Sequence, residues 1–170
     1  TLVHLSSSSL GVTSSPAAGR ARSKGLTEAG RRYVQRLNEK NVFVDLAHIS
    51  REGFWEALEV HDKKKPAIVT HTGIDSVYPH WRNIDDEQLR AVADRGGVIG
   101  VIFAPRYLGA DSIDAVCDHL LHIIRVVGED APALGSDYDG AVRPPIGLED
   151  VSRLPALTAA LLARGVGRDT

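Results

Sequence analysis

Short β-rich runs alternate with longer helical periods along this chain, and that alternation restricts the fold more than any other feature of the sequence. It is the signature of βα units that build a parallel sheet. Five runs read as strands: residues 1–5 (TLVHL), 41–47 (NVFVDLA), 66–70 (PAIVT), 97–103 (GVIGVIF) and 132–136 (PALGS). The middle ones are nearly continuous apolar stretches, as expected of strands covered on both faces. Their spacing of 25 to 40 residues suits either an open doubly wound sheet or a (β/α)8 barrel, and periodicity does not choose between them.

Between the strands, helical periods and caps are readable. Over 27–39, Thr27 is the expected cap, and Tyr33, Val34 and Leu37 are expected to share a face. Ser50 caps a second helix with Phe54, Leu58 and His61 on one side. Asp85 and Gln88 form a capping box ahead of a third, with Leu89 and Val92 inward. The strongest helix, 112–127, carries a stripe of Val116, Leu120, Ile123, Ile124 and Val127. A last one near 155–164 uses Leu157, Leu161 and Leu162, with Gly165 as its stop. Residues 6–25 differ in kind. They are rich in Ser, Gly, Ala and Arg, and a loop of about 20 residues without structure implies function or disorder.

Composition excludes several classes. The chain has 170 residues, is 43% hydrophobic and has a net charge of −2, so no basic face for nucleic acid is expected; Lys63-Lys64-Lys65 reads as a solvated loop. No apolar stretch approaches the roughly 18 residues of a membrane span. A single cysteine, Cys117, rules out an internal disulfide and a thiolate zinc site, and its helical context assigns it to the core. With no Met and no signal-peptide pattern, both ends read as cuts through a longer protein, and a cytoplasmic location is expected.

In α/β sheets and barrels, chemistry gathers at the C-terminal ends of strands. Four of the five runs end there in a reactive side chain: His4, His48, His71 and Asp137. Imidazole and carboxylate are the zinc ligands of choice where thiolates are absent. His48 and His71 are therefore the candidate metal ligands, and Asp137 the candidate acid–base group for a metal-activated water. No G-x-S-x-G, G-x-G-x-x-G or P-loop competes with this reading. Asp137-Tyr-Asp-Gly140 lacks the further acidic positions of a calcium loop. His119 and His122, i and i+3 in mid-helix, are assigned to packing or the surface, His61 to the surface, and His80 is left open.

Several ordered motifs from about residue 25 onward resemble the membrane (renal) dipeptidase family. They are Gly25-Leu-Thr, Val44-Asp-Leu-Ala-His48, Ile68-Val-Thr-His71, Trp81-Arg-Asn83, Asp118-His-Leu120, Gly135-Ser-Asp-Tyr-Asp-Gly140 and Gly147-Leu-Glu-Asp-Val151. The resemblance implies an incomplete (β/α)8 barrel of the amidohydrolase type, a single domain over 1–170 lacking its N-terminal strands and C-terminal end. It implies hydrolysis of dipeptides by a metal-bound hydroxide at a two-zinc centre. His48 and His71 would bind one zinc. His4 would hold the oxyanion, Arg82 would pair with the substrate's C-terminal carboxylate, and Asp137 would handle protons and touch the substrate. The remaining ligands, a His-x-Asp pair and a bridging Glu, would lie ahead of residue 1, and a homodimer is compatible with the family. Thr72-Gly73 stands where relatives carry serines, which predicts a looser loop, and Ile102 stands where they often have Asn. Two rivals remain open: another amidohydrolase activity on a lactone, cyclic amide or N-acyl amino acid, and a non-catalytic fragment.

Overall fold

The computed structural model of the chain describes residues 1–18 and 25–168. Among the described residues, four strands and six α-helices follow one another in the order α1 (Glu28–Glu39), β1 (Val44–Asp45), α2 (Arg51–Val60), β2 (Ala67–Thr72), α3 (Asp86–Ala93), β3 (Ile99–Val101), the single turn α4 (Pro105–Leu108), α5 (Ile113–Val127), β4 (Pro132–Leu134) and α6 (Leu154–Ala163). The strands lie in the order β1-β2-β3-β4, so each βα unit adds its strand next to the previous one. β1 and β2 pair in parallel with Val44 opposite Ala67, and β3 and β4 with Ile99 opposite Pro132.

Two compact units divide the chain, Thr1–Thr70 with Ala91–Val98, and His71–Arg90 with Ile99–Thr170. In the first, α1 packs on α2, and Val34, Val44, Leu46, Phe54, Leu58 and Val69 are among its buried side chains. Burying each such side chain contributes about 1.5–3 kcal/mol. Thr27 and Ser50 cap their helices as expected, accepting from the amides of Gly30 and Gly53, each cap contributing about 1 kcal/mol. In the second, α5 lies against β3, β4, α4 and α6. Its inner stripe of Val116, Cys117, Leu120 and Ile123 is buried with Ile99, Val101 and Phe103. The Asp85–Gln88 capping box forms in both directions, at 2.9 and 3.1 Å.

Four expectations fail. Residues 1–5 form no strand: Leu2 and Val3 are buried, but the His4 carbonyl accepts the Thr13 hydroxyl at 2.5 Å instead of a strand amide. Tyr33 is exposed, because the inner side of α1 narrows to Gly30, Val34 and Asn38. Leu162 is exposed as well, leaving Leu157 as the buried residue of α6. His61 is buried rather than on the surface: it ends α2, and its Nε2 lies 3.0 Å from the Lys65 carbonyl.

The Ser-rich segment is also more ordered than its composition implies. Gly11 bridges to Leu26 and Thr13 to Ile49 as antiparallel pairs. Amide bonds run from Thr27 to Leu10, Ser50 to Val12 and Ser14 to His48. Positions 19–24 of the expected loop lie outside the described residues.

Candidate functional site

In the first unit, β1 runs out at Asp45 and the chain turns so that His48 takes a left-handed backbone, φ +69°. Such a conformation costs a non-glycine residue about 1 kcal/mol or more and persists only where neighbours fix it. Here the fixing comes from the Ser-rich segment. The His48 carbonyl accepts from the Ser14 amide at 2.8 Å and lies 3.0 Å from the Thr13 hydroxyl, which also reaches the His4 carbonyl. His48 is buried and its ring lies 4.4 Å from that of exposed His4. Two of the histidines singled out by sequence thus sit side by side, tethered through Thr13. The serine-rich composition of residues 6–15 gave no sign of this in sequence; the only signal was the length of the loop.

In the second unit, His71 opens a segment in which most polar groups have a defined partner. Thr72 is fully buried, its hydroxyl within reach of the Gly73 and Arg82 carbonyls. The Ile74 amide donates to His119 Nδ1 at 2.9 Å. That bond places the imidazole proton on Nε2, which faces the Leu108 carbonyl at 3.3 Å. Burial pushes the His119 pKa down. His119 is therefore a neutral structural pin, and His122, which bonds to Asp86 at 2.8 Å, is engaged at the surface of α3; both match their expected roles. Asn83 donates to the Tyr78 and Tyr107 carbonyls, and its side chain fills the space a Cβ on Gly73 would need. The loop expected to be looser is tightly tied, because glycine lets Asn83 approach. Ile102 is buried, where an Asn would need partners of its own.

Arg82 is 3% exposed, and one of its terminal nitrogens donates to the His71 carbonyl at 2.7 Å. The guanidinium thus touches the backbone of a candidate ligand. His80, beside it, accepts from the Arg82 amide at 3.1 Å and lies among Tyr78, Trp81 and Tyr107. Burial, with Arg106 and Arg82 nearby, holds its pKa below the usual histidine value.

Asp137 follows β4 in a turn with three non-glycine residues in the left-handed region: Asp137 (φ +59°), Asp139 (+64°) and Ala141 (+61°). Asp tolerates that region better than Ala. The Gly140 amide closes the turn on the Asp137 carbonyl at 3.0 Å, and a Cβ on Gly140 would collide with the Asp137 carboxylate. A cleft of about 320 Å³, lined by Ala104, Pro105, Arg106, Ala141, Val142 and Arg143, opens beside it. Arg143 pairs with Asp111, while Arg106 lies over the Tyr107 ring at 4.6 Å.

Among the described residues, no group of three or more His, Cys, Asp or Glu side chains is arranged to hold a metal ion. The chemistry of the donors nevertheless fits zinc in part. His48 comes just after β1 and His71 lies at the end of β2, two strands that pair in parallel, and imidazole pairs are common zinc ligands. No helix among the described residues is long and apolar enough to cross a membrane.

Comparison with known proteins places this geometry. The family model for membrane dipeptidases (peptidase family M19) matches residues 1–170. A Klebsiella pneumoniae protein, known as the uncharacterized protein in the pqqA 5′ region, is 36% identical over 148 residues, 83% of this chain and 54% of its own length. The crystal structure of a Rhodobacter sphaeroides metallopeptidase, liganded with a phosphinate mimic of the dipeptide L-Ala-D-Ala, superposes with a TM-score of 0.80 at 38% identity, over 86% of this chain and 43% of that one. An amidohydrolase from Pseudomonas aeruginosa gives 0.78 at 26% identity, over 93% and 55%. The chain thus spans about half the length of these relatives. Its four parallel strands and helices form part of a TIM-type barrel of the amidohydrolase kind. The chain belongs to the membrane dipeptidases, peptidase family M19.

Proposed function

We propose that this chain is part of a zinc-dependent dipeptidase, in which water cleaves the peptide bond of a dipeptide at a two-zinc centre to which these residues contribute half. The observation that carries the reading is where the two histidines fall along their strands. β1 and β2 pair in parallel, His48 comes three residues after the end of β1, and His71 is the penultimate residue of β2. Each imidazole thus belongs to the C-terminal end of its strand, where barrel enzymes gather their chemistry. The dipeptide mimic bound by the Rhodobacter sphaeroides relative supports dipeptides as the substrate class.

When bound, zinc polarises the scissile carbonyl and lowers the pKa of its water toward ~7. The chain's own residues do the rest. His48 and His71 hold the ion through neutral ring nitrogens. Asp137 accepts the proton of the attacking water and delivers it to the leaving amine. His4, beside His48, donates a hydrogen bond to the oxygen that becomes negative as the carbonyl turns tetrahedral. Arg82, whose guanidinium is tied to the His71 carbonyl, neutralises the terminal carboxylate of the substrate.

The test is hydrolysis of L-Ala-D-Ala by the complete protein with Zn²⁺ or Co²⁺. Cleavage that falls by about 10³-fold or more in His71→Ala supports the reading. No cleavage of any dipeptide with either metal, or full activity in His71→Ala, would contradict it.

A further inference from the structure

Asp45 is a charged side chain in the otherwise apolar run Val44-Asp45-Leu46-Ala47, and strand formation does not require it. Its carboxylate is only 12% accessible and is met by donors from both sides of the β1–β2 pair. Oδ1 accepts from the Ala47 amide at 3.0 Å and from the Thr70 amide at 3.0 Å, and Oδ2 accepts the Thr70 hydroxyl at 2.8 Å. Ala47 is the residue before His48, and Thr70 is the residue before His71.

The position of this clamp gives it meaning. β1 ends at Asp45, and the Leu46 amide still bonds to the Ile68 carbonyl at 2.8 Å. Past that point His48 turns into its left-handed conformation, and regular pairing no longer fixes the spacing of the two chains. The Asp45 carboxylate spans that gap. Three hydrogen bonds to one rigid, two-oxygen group define both the separation and the rotation of the residues they hold. A brace whose purpose was only to close the sheet end would need no contact with the residue preceding each histidine.

We propose that Asp45, with Thr70 as its partner, is a positioning residue that sets the spacing of the His48 and His71 imidazoles. It acts through the backbone and touches neither metal nor substrate. This inference rests on the reading of His48 and His71 as zinc ligands. Groups that orient ligands from behind typically change metal affinity by about 10- to 100-fold when removed.

The experiment measures zinc affinity of the complete protein by chelator competition with Zn²⁺ alone, beside kcat and KM for L-Ala-D-Ala and the melting temperature of the metal-free form. Asp45→Ala is expected to weaken zinc binding by about 10- to 100-fold and to lower kcat, with KM changed by less than about threefold. Asp45→Asn, which keeps one oxygen for the two amides, restores part of the affinity. Thr70→Ser behaves as wild type, and Thr70→Val lies between. If Asp45→Ala does not fold, the Asn and Val variants carry the same reading. Zinc affinities within about threefold of wild type in Asp45→Asn and Thr70→Val, whatever happens to stability, overturn the inference and leave Asp45 as a sheet brace. A wild-type protein that binds no zinc overturns the ligand reading itself, and this inference with it.

Discussion

The segments that follow β2 and β4 both carry residues of the candidate site, yet they are held by opposite means. From the end of β2 onward, residues 71–84 are fixed from outside. Thr72, Ile74 and Arg82 are buried, and His119, Asn83 and the Thr72 hydroxyl occupy backbone groups that would otherwise lack partners. After β4, residues 137–141 are fixed from within. Asp139, Gly140 and Ala141 are exposed, and the turn is defined by left-handed backbone and one amide bond. The first arrangement suits a ligand that must not move. The second suits an acid–base group that has to meet both water and leaving amine. Burial protects the first from local change, whereas a single methyl group can disturb the second.

That contrast makes graded predictions. The largest effect is expected at His119. His119→Ala removes the acceptor of the buried Ile74 amide and leaves a cavity, so it should cost about 3 kcal/mol in denaturant unfolding. It should also change the pH dependence. Burial depresses the folded pKa of His119 below the unfolded value of about 6.5. Its contribution is therefore complete above about 6.5 and is lost as pH falls through the lower folded value. Wild type should lose stability on that acidic side, and the variant should show a shallower slope. An equal slope would show that His119 does not pin the β2 segment as a neutral ring.

Next in size is Gly140→Ala. The added Cβ displaces the Asp137 carboxylate, so kcat for a dipeptide should fall by about tenfold or more while the unfolding midpoint moves little. A large stability loss without a rate effect would erase the distinction between the two segments. The smallest effect is Ala141→Gly. Relieving a left-handed alanine should stabilise the fold by about 0.5–1 kcal/mol, measured by urea unfolding. Destabilisation would mean that the methyl group packs in the neighbouring cleft.

The helices were legible because their determinants are local. The Thr27 and Ser50 caps and the Asp85–Gln88 box form between residues three apart, so the sequence alone contains both partners. Residues 1–5 were misread as a strand because apolar character predicts burial, which Leu2 and Val3 have, but not a ladder partner. His61 was misplaced for the reverse reason: a polar residue at a helix end can be covered by the turn that follows it, here through the Lys65 carbonyl. The positions of the candidate ligands were legible from strand ends. Their supports were not, because Thr13 meets His48 across 35 residues and His119 meets Ile74 across 45. Asp45 was the exception that could have been noticed, as a charge inside an apolar run.

The central claim is that His48 and His71 together hold a zinc ion of the dipeptidase centre. Zinc content of the complete protein, measured by atomic emission after exhaustive dialysis, tests it most directly. Wild type should retain two ions, and either His48→Ala or His71→Ala should lose one of them while the protein stays folded. Unchanged zinc content in both variants would contradict the account.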